Sequence, residues 1–206
     1  MQTLLDFHLN GREALTGVIR QTSYRGLQQA VASLTIFSHP DTVAQTGARA
    51  LFPIVRNAAK RGSVERRNGT LIGFDDNKAP TDAFLWANRI GKRPADIQFN
   101  HIYAMSDDAD CYTNLANLCA SPAFLAKLTD TNAEIVALLQ YRGFDLYGWN
   151  PDELGKPTEP LGYSALDWCP TLPPVQNVAA ALREQIGRRK DRTTRIVAQT
   201  GWLFQK

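Results

Sequence analysis

Cysteine is scarce in this chain: Cys111, Cys119 and Cys169 are the only three among 206 residues. An odd number without CxxC spacing argues against a disulfide framework and against a four-cysteine zinc site. The bland reading is three reduced thiols. Long apolar runs are missing too, and no stretch reaches the roughly 18 residues that a membrane span needs. The start, Met1 to Asp6, has neither a basic segment nor an apolar one of the kind that directs secretion. A cytoplasmic protein with no membrane contact is therefore expected. Internal repeats, low-complexity tracts and an obvious interdomain linker are absent as well.

What remains is ordinary for a folded chain, with 44% hydrophobic and 21% charged residues. The low-hydrophobicity signature of disorder is not there, and the length allows a sizeable core. A net charge of +3 is compatible with a polyanionic partner but does not select one.

Periodicity predicts a mainly helical first third. Asn10-Gly11-Arg12-Glu13 opens a helix carrying Leu15, Val18 and Ile19, and helix and strand compete over residues 26–37. Pro40 suits the first turn of another helix, running toward Gly47 or on to Pro53. Asn68-Gly69 is a strong hairpin signal followed by the strand Thr70 to Phe74. The turn at Asp75 to Lys78 precedes a helix from near Pro80 to about Gly91, burying Phe84, Leu85 and Trp86. Residues 96–103 alternate as a strand. Asn114 to Cys119 reads as a short extended or turn segment. Ser121 then serves as N-cap, with Pro122 at the first position, of a helix reaching Lys127. Residues 131–142 form another helix stopped by Gly143, residues 144–174 wrap irregularly, and Val175, Val178, Ala179, Leu182 and Ile186 make a helical stripe.

One segment concentrates residues with chemical potential. Phe99-Asn100-His101-Ile102 is followed by an acidic polar loop, then by Asn114-Leu115-x-x-Leu118-Cys119 and the helix to Lys127. Over residues 98–127 this resembles the ββα-metal (HNH) nuclease family. That resemblance implies a two-stranded hairpin closed by a helix over one divalent ion, Mg²⁺ or Mn²⁺. It also implies His101 as general base, Asn114 as the residue orienting its ring, and Asn100 in the first metal-ligand position. Phosphodiester hydrolysis calls for such a set: imidazole titrates in the right range to take a proton from water, and an ion stabilises charge on the phosphate. The far ring nitrogen needs an acceptor, either the Asn114 side chain or a backbone carbonyl. The chain departs from the family in three ways. Asn100 is neutral where a carboxylate or imidazole is usual. The last ligand position falls near Ala123, with Ser121, Asn117 or Asp130 as substitutes at other spacings. The paired zinc-knuckle cysteines are missing. The competing reading makes Asn100, Asn114 and Asn117 turn residues bonding their own backbone.

Other features carry less. Asp75-Asp76 and the loop carboxylates Asp107, Asp108 and Asp110 read first as solvated turns, and a restriction-type carboxylate site with Glu-x-Lys is not evident. Cations cluster at Arg56 to Arg67, at Arg89, Lys92 and Arg93, and at Arg183, Arg188, Arg189, Lys190, Arg192 and Arg195. Of these, Arg188, Arg189 and Lys190, together with Lys127, are the expected phosphate contacts. Trp149, Trp168 and Trp202 read as packing residues, and His8 and His39 fall outside any motif.

The expectation is an α+β fold, with a small ββα-metal hairpin-plus-helix core (residues 95–130) embedded in a mostly helical single domain. A mainly helical region (1–94) precedes the core, and a helical region with a basic tail (131–206) follows it. The expected function is a metal-dependent DNA endonuclease, with restriction or defence as its setting. The alternative is a non-catalytic nucleic-acid-binding protein that retains a degenerate core. DNA is the expected partner, and a homodimer is one open assembly.

Overall fold

In a computed structural model of the chain, residues 10–24, 26–92, 95–152 and 154–202 are described. His8 and Arg93 lie outside them. The architecture is α+β, with 45% helix and 14% strand in one domain. No helix among the described residues is long and apolar enough to cross a membrane.

The helices begin where capping chemistry starts them. Helix α1 (Gly11–Arg20) is capped by Asn10, whose Oδ1 accepts the Glu13 N–H at 3.2 Å. Glu13 in its first turn and Arg20 in its last both complement the helix dipole. Helix α2 (Leu27–Leu34) resolves the competition over residues 26–37 in favour of helix. Beyond it only Ile36 keeps a strand-like role, in an antiparallel bridge to Ala120. Helix α3 (Pro40–Ala44) has proline in its first turn as expected, but it ends before Gly47.

Strands β1 (Ile54–Arg56), β2 (Val64–Arg67) and β3 (Thr70–Asp75) form a three-stranded sheet in the order β1-β3-β2. The β2–β3 hairpin turns at Asn68 (φ 46°) and Gly69 (φ 83°), as the dipeptide predicts. Strand β1 joins β3 in parallel, pairing Ile54 with Gly73 and Arg56 with Asp75. Helix α4 (Lys78–Ala87) is initiated from the end of β3, where the buried Asp75 carboxylate accepts the Ala79 N–H at 2.8 Å. This helix stops at Ala87, short of Gly91. It buries Phe84 and Trp86 more completely than Leu85.

The second sheet is the hairpin of β4 (Ile97–His101) and β5 (Leu118–Pro122), antiparallel, with Asn100 opposite Cys119 and His101 opposite Leu118. Here the helix starts one residue later than expected. Ser121 and Pro122 are the last residues of β5; Pro122 stands at the N-cap position of the helix that follows, without a side-chain bond, and Ser121 caps nothing. Proline is tolerated there because a terminal strand position need not donate. Two short helices follow, α5 (Ala123–Ala126) and α6 (Leu128–Thr131), with Lys127 at their junction.

Helix α7 (Ala133–Tyr147) runs through Gly143 and stops instead at Gly148, which takes the left-handed conformation (φ 63°). Gly143 serves packing. A Cβ there would lie 3.1 Å from Ile102 Cδ1, so glycine lets α7 approach the end of β4 closely. Helix α8 (Val178–Arg188) buries Val178 and Leu182 of the expected stripe and half-buries Ala179 and Ile186; Val175 precedes the helix, and Ala181 is buried as well. The basic tail is partly a further helix, α9 (Arg192–Thr200), capped by Asp191. Helix α9 lies on the three-stranded sheet, where Gly73 leaves room for Ile196.

Candidate functional site

The hairpin, its long connection and the helices after it give the strand–strand–helix order expected for residues 95–130. The connection, residues 102–117, is held at several points. Ile102 N–H donates to Asn117 O at 3.0 Å, which carries the hairpin pairing one step beyond His101. Asn117, fully buried, closes the loop on itself. Its Oδ1 accepts the Tyr103 N–H at 2.7 Å, and its Nδ2 donates to Tyr103 O at 3.2 Å and Cys111 O at 3.1 Å. Thr113 binds the backbone of Phe52 through its hydroxyl, accepting from the N–H and donating to the carbonyl, each at 2.9 Å. Arg56 N–H donates to Ser106 O at 2.7 Å. The loop is thereby fastened to the segment that enters the first sheet.

These fastenings place Tyr112 against His101. The two rings stack with centroids 5.2 Å apart and planes 13° from parallel. His101 Nε2 sits 2.9 Å from Tyr112 O. A carbonyl can only accept, so Nε2 carries the proton and the neutral ring keeps its lone pair on Nδ1. No residue among those described bonds Nδ1. Burial lowers the ring's pKa below its ordinary value, the Tyr112 carbonyl and Asp130 oppose that shift, and Arg56 reinforces it. The net effect is a half-buried imidazole kept neutral at physiological pH, with one nitrogen fixed and the other available as a base.

Tyr112 is fully buried, and its hydroxyl donates to the Asp76 carbonyl. Burial comes first in raising its pKa; Asp75 and Asp76 also raise it, while Arg56 and Arg192 lower it. The surroundings of the His101–Tyr112 stack therefore include both sheets. Sequence reasoning missed Tyr112. An aromatic ring inside an otherwise acidic polar loop was the signal that could have found it.

Asn114 does not orient His101. It is buried and caps the 3₁₀ turn Leu115–Asn117 by accepting the Ala116 N–H at 2.9 Å, while its amide donates to Ala48 O at 2.6 Å. Both ends of the side chain are thus committed to backbone, the oxygen locally as the turn reading anticipated and the amide to a residue distant in sequence. The expected orienting role belongs to the Tyr112 carbonyl. Asn100, adjacent to His101, donates through Nδ2 to Ser121 Oγ at 2.8 Å, leaving its Oδ1 as the available oxygen.

The donors present do not add up to a resident divalent-ion site. No three His, Cys, Asp or Glu side chains gather to hold an ion among the described residues. Asn117 is fully engaged with the loop, and Ala123 offers no donor. That leaves the one neutral oxygen of Asn100, the Ser121 hydroxyl that accepts from Asn100, and the exposed Asp130 carboxylate 3.8 Å from Lys127, whereas Mg²⁺ sites use one or two carboxylates with waters and substrate phosphates. No chemical step below is routed through an ion. The thiols are no alternative centre: burial pushes both Cys111 and Cys119 up to about 12, so neither is a thiolate at neutral pH.

The expected phosphate contacts separate. Lys127 is well exposed, 3.8 Å from Asp130. Arg188 pairs with Glu184 at 2.8 Å, and Arg189 donates to Gln185 at 3.1 Å while lying over the Trp86 ring. Arg192 is turned inward onto Asp75. Lys190 is exposed. Of the aromatic residues set aside as packing, Trp149 and Trp168 lie against the core and Trp202 sits under Arg183.

Comparison with family models, with curated proteins and with solved structures returned no match.

Proposed function

We propose that the protein hydrolyses phosphodiester bonds in DNA, with His101 as the general base at the end of the β4–β5 hairpin. The observation that carries this reading is the pinned tautomer: Nε2 held on the Tyr112 carbonyl at 2.9 Å, with the ring kept neutral by burial and by Arg56. In the reaction, Nδ1 takes a proton from water and the water oxygen forms a new bond to phosphorus. The bridging phosphorus–oxygen bond breaks, and the departing oxygen takes its proton from solvent. Arg56 draws the phosphate toward the base, and the nearby negative charge of Asp130 favours the imidazolium once it forms. The resemblance over residues 98–127 supports the same assignment and adds a divalent ion, so the ion is made a variable of the assay.

The test is nicking of supercoiled plasmid with Mg²⁺, with Mn²⁺ and with chelator, comparing wild type and His101→Ala prepared identically. Wild type is expected to cut. His101→Ala should lose about 10²–10⁴ in rate, the usual contribution of a positioned base. Equal cutting by both proteins removes His101 from the mechanism.

A second reading is favoured by the sparse donor set: a protein that keeps the hairpin and binds DNA without cutting it. Salt-dependent binding with no nicking under any of the three conditions selects this reading.

A further inference from the structure

Helix α1 presents Arg12, Thr16 and Arg20, one turn apart along its length, to a cavity of about 560 Å³. The first residues of α2, from its N-cap Gly26 to Gln29, line the same cavity, and so does the start of α7 at Asn132 and Glu134. Two helices thus open their N-terminal ends onto one space, and each end carries partial positive charge. The end of α2 is uncapped: Gly26 has no side chain to accept the first N–H groups, and no acidic residue stands in the first turn. Arg12 and Arg20 are exposed and have no carboxylate within ion-pair distance among the described residues. Glu134, also exposed, is the single carboxylate lining the cavity among the described residues.

Asn132 adds an observation that helix ends alone do not supply. It is 1% exposed and caps α7 through Oδ1, which accepts the Glu134 N–H at 3.1 Å and the Ile135 N–H at 3.4 Å. With the oxygen so held, Nδ2 is turned away from the helix, on the side of the cavity that Asn132 lines. It has no hydrogen-bond partner among the described residues. A buried donor left unpaired is costly, and an acceptor brought from outside satisfies it.

We propose that this cavity binds the phosphate group of a small phosphomonoester. Asn132 Nδ2 and the first N–H groups of α2 donate to the phosphate oxygens, and Arg12 and Arg20 neutralise the charge. Helix N-termini suit phosphate for this reason. The volume fits a small organic ligand rather than a bare ion. Tyr24, Leu27 and Leu166 supply an apolar wall for the group that the phosphate carries. Neither His101 nor any other residue of the β4–β5 hairpin lines the cavity, so the site stands independently of the reaction proposed above.

The experiment is a nitrogen–proton correlation NMR titration of the full chain with phenyl phosphate, inorganic phosphate and phenol. The proteins are wild type, N132S, R12Q/R20Q and R188Q/K190Q. Phenyl phosphate should saturate wild type with a Kd on the order of 1 mM, shifting the amides of residues 26–29 and the Asn132 side-chain signals. Inorganic phosphate should bind about tenfold more weakly, and phenol should leave those signals in place. N132S keeps an oxygen to cap α7 but loses the amide donor, and should weaken binding about tenfold or more. R12Q/R20Q should weaken it by about tenfold. R188Q/K190Q removes the same charge elsewhere and should bind like wild type. Spectra without ligand show whether each variant is folded, and R12Q/R20Q, changed at two exposed positions, decides the matter if N132S is not. Any of five results overturns the site: no saturation by phenyl phosphate up to about 20 mM; shifts that avoid residues 26–29 and Asn132; wild-type affinity in R12Q/R20Q or in folded N132S; equal weakening in R188Q/K190Q; or inorganic phosphate binding as tightly as phenyl phosphate.

Discussion

Replacing Asn117 tests how the loop behind the candidate base is built. In Asn117→Ala three side-chain hydrogen bonds disappear, but they are not equivalent. Tyr103 O still accepts from Met105 N–H at 2.8 Å, and Cys111 O from Asn114 N–H at 3.3 Å. Only the Tyr103 N–H loses its partner outright. An orphaned buried donor costs about 1–3 kcal/mol, and two lost bonds to carbonyls that keep other partners cost roughly 0.5–1.5 kcal/mol each. The sum is about 2–6 kcal/mol, with water entry at the low end. Asn117→Asp sharpens the test because it preserves shape. Its carboxylate can still accept from Tyr103 N–H, but it sets negative oxygen against the Tyr103 and Cys111 carbonyls. Burial and that repulsion raise the folded pKa above the unfolded value of about 3.9. Its stability is then greatest at low pH, where the protonated acid can donate, and is lost as pH rises through the folded pKa. Urea unfolding at several pH values, with slopes checked for constancy, measures both variants. A cost below about 1 kcal/mol for Asn117→Ala, or a flat pH dependence for Asn117→Asp, would refute the assignment of Asn117 as the loop's internal tie.

Two further outcomes follow from packing and titration. A methyl added at Gly73 would lie 2.1 Å from Ile196 Cγ2. Gly73→Ala should therefore cost about 3 kcal/mol. Ile196→Leu removes that branch at about 1 kcal/mol, so the double variant should be more stable than the sum of the singles by at least about 1 kcal/mol, and strict additivity in urea refutes the contact. For His101, burial depresses the folded pKa below 6.5. The unfolded chain then binds more protons in the window just below 6.5, so this contribution is full above 6.5 and lost as pH falls through the folded value. His101→Gln can still donate to Tyr112 O and should remove that part of the acid loss. An unchanged pH profile of unfolding in this variant contradicts the buried neutral ring.

The fold was legible where local chemistry decided it. Asn68-Gly69 dictates a hairpin, Asn10 and Pro40 start helices, and the alternation over residues 97–101 marks β4. It was illegible where a partner distant in sequence decided the outcome. Gly143 looks like a helix stop because glycine usually is one, yet its job is to admit Ile102. Ser121-Pro122 matches a helix start in sequence, but backbone pairing to Gln98 and Ile97 claims both residues for β5. The six cations near the C-terminus look alike in sequence, whereas Arg192 is drawn 117 positions away to Asp75. The site was half legible. His101 stands out by motif, but its acceptor is a backbone atom, and side-chain identity carries no record of which carbonyl a fold will bring to a ring.

We read the surroundings of His101 as those of a base rather than of a packing histidine. A histidine kept only for packing is best served by partners at both nitrogens or by a carboxylate that lets it charge. Here one nitrogen is fixed on a carbonyl and the other has no partner among the described residues. Arg56 disfavours protonation and has no carboxylate within ion-pair distance among the described residues. An arginine beside a buried imidazole raises the energy of the charged ring, so taken alone the arrangement works against the fold at acidic pH. In the proposed reaction a phosphate placed between the two groups reverses that balance. It neutralises Arg56 and lets the ring accept a proton at the moment water is deprotonated.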